Sequence, residues 1–381
     1  MRRIPLLVLA VLAAAGCGTS SSGSGVDSAP YVWDLPPGFP VPRVPEGNPM
    51  SAEKVELGRH LFYDVRLSGN ETFSCASCHE QALAFTDGRA RAIGSTGELH
   101  PRASMSLVNV AYANTLTWAN DLLRSLEQQA LVPMFGETPV ELGLSGREGE
   151  LLERLRAEPR YQAMFAAAFP RDEDPYTLEH IVQSLASFQR TLLSGRSPFD
   201  RYNYDRERDA ISESTKRGMA LFFSERLECF HCHGGFNFSD SVGHQGTEIE
   251  EVMFHNTALY NLDGEGAYPP ENTGLMEISG KASDMGRFKA PTLRNIEVRA
   301  PYMHDGSVAT LEDAIDHYAA GGRRIESGPY AGNGAESPLR SEFVRGFELS
   351  PDEKSDIIEF LRSLTDREFL TDPRFSNPWL E

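Results

Sequence analysis

Two five-residue stretches, CASCH (75–79) and CFHCH (229–233), each place two thiols three positions apart with an imidazole directly after them. At that spacing two cysteines can add to the two vinyl groups of one haem. The adjacent histidine can then turn beneath the ring and coordinate iron. Cys75, Cys78 and His79 form one such set, and Cys229, Cys232 and His233 the other. The same atoms could build a zinc site of thiolates and imidazole. Histidine directly after both pairs, the duplication of the motif and an export signal favour haem. Two C-x-x-C pairs far apart in the chain make a poor disulfide framework.

The sets lie inside a faint repeat that must supply the elements around them. GRHLFYDVRLS (58–68) resembles GMALFFSERLE (218–228): Gly58/Gly218, Leu61/Leu221, Phe62/Phe222, Arg66/Arg226 and Leu67/Leu227 recur in register. A shared helix feeding a shared motif implies two homologous domains, with a boundary in the polar, turn-rich residues around 196–210. Apolar residues at helical spacing predict helices in LEHIVQSLASFQRTLL (178–193) and SDIIEFLRSL (355–364). The second is introduced by Ser350-Pro351-Asp352-Glu353, a capping box with proline at the first helical position. Strand patterns are scarce. The expected fold is mostly α, two cytochrome c-like domains joined and wrapped by long loops, spanning 36–205 and 206–381.

The chain opens as an export signal. Arg2 and Arg3 precede an apolar run, Ile4–Ala15, too short to span a bilayer. Residues 1–16 read as the signal peptide. The small residues before Cys17, the fifth cysteine, resemble a bacterial lipobox, in which that cysteine is lipidated and becomes the new N-terminus. GTSSSGSG (18–25) is a Gly/Ser tether, so 17–35 reads as a lipidated, flexible lead. The expected location is periplasmic, anchored to the membrane (the outer one) by lipid alone. A formal net charge of −19 over 381 residues argues against nucleic acid and anionic membrane faces, and favours partners with basic patches.

Two haems could serve as a wire, or as an enzyme if one iron keeps an open face. The set LGRHLFYD, CASCH, TWAND, SLEQQALVP, PVELG, CFHCH, FKAPTLRNI, APYMHDG and DHYAAGG resembles the bacterial di-haem cytochrome c peroxidase group over residues 36 to about 370. It is most similar to the branch of MauG and the di-haem enzymes of methanobactin operons. The resemblance implies that the N-terminal haem reacts with hydrogen peroxide and the C-terminal haem stores or relays oxidising equivalents. It places Glu141 as a distal carboxylate moving a proton between peroxide oxygens, and Gln129, with Gln128 as rival, as a distal hydrogen-bonding amide. Trp118 falls where a tryptophan lies between the haems, and His304 in a stretch packed on haem propionates. Where some members carry an iron-capping histidine this chain has Ser95; His100 is the alternative cap, or a surface or propionate-contacting histidine. For calcium, the side-chain ligand position is Ala103, which leaves carbonyls around Arg299 and Pro301 as oxygen donors.

Tyr318 occupies the position where peroxidases fed by small cytochromes have methionine and MauG has tyrosine. A thioether favours reduced iron; a phenolate favours oxidised iron. With Tyr318 as ligand, both haems can share the oxidising equivalents of one peroxide; His317 and Met303 are the competing ligands. The resemblance thus implies a peroxide-consuming enzyme that takes electrons from aromatic residues of an exported partner protein. The alternatives are a peroxidase fed by a small cytochrome or cupredoxin, and a non-catalytic electron carrier.

Overall fold

The computed structural model describes residues 31–380; the proposed signal peptide, Cys17 and the Gly/Ser tether lie outside them. Eleven α-helices are formed among the described residues: α1 Ala52–Tyr63, α2 Leu126–Phe135, α3 Glu148–Ala157, α4 Pro159–Ala168, α5 Leu178–Arg190, α6 Pro198–Asn203, α7 Glu213–Phe222, α8 Cys229–Cys232, α9 Met276–Ser279, α10 Leu311–Ala319 and α11 Pro351–Arg362. Sheet is confined to two-residue antiparallel ladders. β1 (His255–Asn256) pairs with β2 (Arg287–Phe288), and β3 (Arg324–Ile325) with β4 (Gly332–Asn333). The mostly helical expectation holds.

The repeat has a packing reason. Gly58 of α1 sits against the carbonyl of Ser184 in α5, and Gly218 of α7 against the carbonyl of Asp356 in α11; a Cβ on either glycine would collide with that carbonyl. Glycine lets the two helix backbones meet. Phe62 then packs on Phe188 of α5 (5.3 Å between ring centres) and Phe222 on Phe360 of α11 (5.1 Å). Each half thus has a glycine-seamed helix pair with a phenylalanine bracket. One apolar core gathers around Leu57, Leu61, Phe62, Phe165 and Phe188, a second around Phe222, Phe238, Ile357 and Phe360.

Helix ends follow local chemistry. Ser350 caps Glu353 N–H and the Glu353 carboxylate accepts from Ser350 N–H (2.9 Å), the box expected from sequence. The predicted 178–193 helix stops at Arg190, short of Thr191, whose hydroxyl instead donates to the Phe188 carbonyl (2.7 Å). The polar stretch around 196–210 does more than connect. It contains α6, capped reciprocally by Ser197 and Asp200, with Phe199 in the second core and Asp200 fully buried against Arg294. The C-terminal segment crosses back to the first core. Phe369, Leu370 and Phe375 are buried there. Trp379 Nε1 donates to His60 O (3.0 Å), Tyr63 OH to Phe375 O (2.6 Å) and Gln81 Nε2 to Phe369 O and Asp372 O (3.1 and 2.9 Å).

Candidate functional site

A short 3-10 turn over Cys75–Ser77 follows α1 and closes with Cys78 N–H on the Cys75 carbonyl (3.2 Å), so both thiols project from one turn. Burial, with Glu141 adding its negative charge, pushes both thiols up to about 12. His79 Nδ1 lies 2.9 Å from the Phe85 carbonyl. A carbonyl only accepts, so Nδ1 carries the proton and the Nε2 lone pair is left for a metal. In the second set α8 presents Cys229 and Cys232, and His233 Nδ1 meets the Phe238 carbonyl at 3.1 Å. Phe85 packs on Phe62 and Phe238 on Phe222, so the repeat also orients both imidazoles. No disulfide joins the four cysteines of these two sets.

Glu141 stands by the first set, close enough to weigh on both of its thiols. Burial alone raises its carboxyl to about 7, and burial lowers His100 to about 4. Their closest atoms are 4.0 Å apart. Burial disfavours the charged form of both groups, so this contact is not held as an ion pair. Ser95 donates its N–H to the Glu141 carbonyl (2.7 Å), tying the loop at the would-be capping position to the distal segment. In α2, Gln128 is exposed, whereas Gln129 holds a buried Oε1 with no partner. Among the described residues no hydrogen bond joins Gln129 to Glu141.

A cavity of ≈ 210 Å³ is lined by Cys229, Cys232 and His233 together with Tyr318, Met303, His304 and Trp118. Tyr318 lies in the last turn of α10. Burial, then the two nearby thiols, push its phenol up, so a phenolate forms only against a positive charge. His317 does not line the cavity; its Nε2 meets the Thr257 carbonyl at 2.8 Å. His304 is buried, stacked on Phe288 (3.7 Å, 11°), with an unpartnered Nε2. Trp118 donates Nε1–H to Ala103 O (2.8 Å), and Ala103 donates N–H to His304 O (2.9 Å). The Ala103 carbonyl, near the expected calcium position, therefore already serves the indole. Thr86 and Met105, from the segments following CASCH, line the same cavity as Trp118.

The side-chain cations of Lys289, buried, and Arg299, half-buried, were not singled out from sequence. Lys289 Nζ donates to Thr115 O (2.7 Å) and Arg299 Nη1 to Thr292 O and Arg294 O (2.7 and 3.1 Å). Neither has a carboxylate partner among the described residues, and burial lowers them to about 8 and about 10. Buried cations are normally paired, and both line the cavity. Two free cations, an orphaned imidazole nitrogen and two thiols in an apolar cleft fit a porphyrin bearing two carboxylates. His255 and Asp240 form a further pair beside Cys232. Burial opposes the imidazolium, yet hydrogen bonds to Asp240 and Cys232 outweigh it and raise His255 to about 10. No spacing signal marks that pair, because its members meet only through β1.

Two covalent-attachment sets on duplicated helix pairs define a di-haem c-type protein. The family description "Di-haem cytochrome c peroxidase" matches residues 52–208. The chain is 35% identical over 322 residues to the methylamine utilization protein MauG of Methylorubrum extorquens, covering 84% of this chain and 80% of that protein. It is 34% identical over 381 residues to the cytochrome-c peroxidase IdrP1 of a Pseudomonas species, covering 95% and 93%. A crystal structure of a MauG-like protein associated with microbial copper homeostasis superposes with a TM-score of 0.90 at 49% identity, covering 92% and 99%. The chain belongs to the di-haem cytochrome c peroxidase and MauG family of oxidoreductases. Membership brings two haem groups with it.

Proposed function

We propose that this enzyme reduces hydrogen peroxide beside Cys75, Cys78 and His79, and that the oxidising equivalents reach the Cys229, Cys232, His233 and Tyr318 site past Trp118. Their destination is an aromatic side chain of an exported partner protein. The observation that carries this reading is Tyr318: it lines one cavity with Cys229, Cys232 and His233, while its neighbour His317 is spent on the Thr257 carbonyl. Bound haem supplies the two-electron reduction of peroxide and holds the oxidising equivalents. Glu141, poised near neutrality, takes a proton from the inner peroxide oxygen and returns it to the departing one, so that water leaves. Gln129 offers its unpartnered amide oxygen to hold peroxide or water. Lys289, Arg299 and His304, which line the cavity of the second set, would hold the second group through its carboxylates.

Residues 36–205 and 206–381 are the proposed haem domains. A signal peptide over residues 1–16 and lipidation at Cys17 would carry the protein to the periplasm on a lipid anchor; no helix among the described residues is long and apolar enough to cross a membrane. Calcium, if held, would rest on carbonyls near Arg299 and Pro301. A second reading, a peroxidase fed by a small cytochrome or cupredoxin, is favoured by Met303, which lines the same cavity. Stopped-flow mixing with one equivalent of peroxide tests the pair. The proposed enzyme reacts in its oxidised form, and Tyr318→Phe alters the second haem's spectrum. An unchanged spectrum removes Tyr318, and no reaction with peroxide leaves only an electron carrier.

A further inference from the structure

Three tyrosines step from that cavity to the surface. Tyr268 is 3% exposed and rests 6.3 Å from the His304 ring and 6.2 Å from Phe288, both cavity-lining. Tyr260, 5% exposed, meets Tyr268 edge-on at 5.4 Å. Tyr330, in the connection between β3 and β4, meets Tyr260 edge-on at 5.7 Å and is 37% exposed. Three phenols in van der Waals sequence, with exposure rising only at the last, are more than core packing requires.

Their hydroxyl partners distinguish them. A phenol is oxidised readily only if its proton has somewhere to go, because the radical cation is a very strong acid. Tyr330 OH donates to Glu271 Oε1 (2.7 Å) and Tyr260 OH to Asp305 Oδ2 (2.6 Å), so each has a carboxylate base in place. Tyr268 OH donates to the Asn256 amide oxygen (2.9 Å), which cannot take the proton. Tyr268 is therefore a bridge, and the other two are stations. The Arg323 guanidinium lies 4.5 Å from the Tyr260 ring centre and opposes positive charge there, which makes proton loss to Asp305 obligatory at that step.

We propose that Tyr268, Tyr260 and Tyr330 form a relay that carries oxidising equivalents from the second site to the surface. Tyr330 is then the residue at which an electron-rich aromatic donor is oxidised. The inference rests on the peroxide reading above. Peroxide gains two electrons and two protons and becomes two waters. Each electron leaves Tyr330 inward through Tyr260, while the Tyr330 phenolic proton passes to Glu271. A phenol or indole at the surface gives one hydrogen atom's worth, an electron and a proton, to restore Tyr330, and Glu271 releases its proton. Two donors are consumed per peroxide. The shared chemistry is the aromatic ring, free in solution or on a partner protein.

The test treats the holoprotein with one equivalent of hydrogen peroxide and no donor, in the presence of 2-methyl-2-nitrosopropane, and maps the adducts by peptide mass spectrometry. The haem absorbance is followed in the same sample. The expected result is an adduct on Tyr330 in the wild type. In Tyr260→Phe that adduct is lost while the haem absorbance still responds to peroxide. Tyr330→Phe, at an exposed position that folding does not depend on, loses the adduct and shifts trapping inward to Tyr260. Absorbance that responds without any adduct on Tyr330, or a Tyr330 adduct undiminished in Tyr260→Phe, overturns the relay and leaves the peroxide reading standing. Absorbance that does not respond overturns both. With the relay supported, p-cresol protecting Tyr330 from trapping marks a free phenol as an accepted donor; protection only by a tyrosine- or tryptophan-bearing protein marks a partner surface as the source.

Discussion

Replacing Glu141 with glutamine keeps the side chain's size and removes its only titrating group. Burial holds the wild-type carboxyl at about 7. The carboxylate fraction is then roughly a tenth at pH 6 and nine tenths at pH 8. If the carboxylate accepts the peroxide proton, kcat/KM rises with pH and inflects near 7; an ordinary carboxyl would give a flat profile over that range. His100 adds no inflection there, being neutral above about 4. Glu141→Gln should lower the rate by about 10²–10⁴-fold, a barrier change of about 3–5 kcal/mol, and abolish the inflection. The stability effect has the opposite sense. A raised carboxyl keeps its proton in the folded state between about 4.5 and 7 while the unfolded chain has released it, so stability falls as pH rises through that window. The side chain is 32% exposed, so solvent trims the cost to on the order of 1 kcal/mol, and the amide variant should melt higher than wild type at pH 8 but not at pH 4. Stopped-flow peroxide decay from pH 5 to 8 is the assay. A wild-type profile flat across 7, or a glutamine variant within threefold of wild type, refutes this role.

Trp118→Phe deletes the indole hydrogen bond to Ala103 O, costing about 1 kcal/mol of stability. It should slow the arrival of oxidising equivalents at the second haem without changing peroxide binding at the first, as read by rapid-freeze electron paramagnetic resonance. Asp200→Ala leaves Arg294 buried and unpaired after the loss of two hydrogen bonds (2.8 and 2.9 Å). A thermal melt should show a loss of about 3–5 kcal/mol; less than 1 kcal/mol would mean water reaches the guanidinium. Gly218→Ala drives a methyl group into the Asp356 carbonyl. It should cost about 1–3 kcal/mol, read in denaturant unfolding, with a matching loss for Gly58→Ala.

What could be read from sequence was local. The two C-x-x-C-H sets, the capping box at Ser350 and the glycine–phenylalanine repeat act over a few residues, and their spacing alone carries the meaning. The carbonyls of Phe85 and Phe238 that orient the imidazoles are main-chain groups, which every residue possesses, so no residue type marks them. Asp200 and Arg294 are 94 residues apart in sequence and meet only once α6 and the loop before Ile296 are packed. Lys289 and Arg299 are invisible as a pair because surface lysines and arginines are common; only burial without a carboxylate makes them informative. Glu141 and Tyr318 gained meaning from resemblance, since a single carboxylate or phenol in a helical protein has no pattern of its own.

The return of the final residues to the first core orders events in time. The chain is synthesised amino end first, so α1 and the Cys75 turn emerge long before Phe369, Phe375 and Trp379 arrive to cover them. Until then Tyr63 and Gln81 lack the acceptors they later find on the tail. The half synthesised first is thus the half completed last. A premature stop after Leu364 would keep every residue of the second core and strip Phe369, Leu370 and Phe375 from the first.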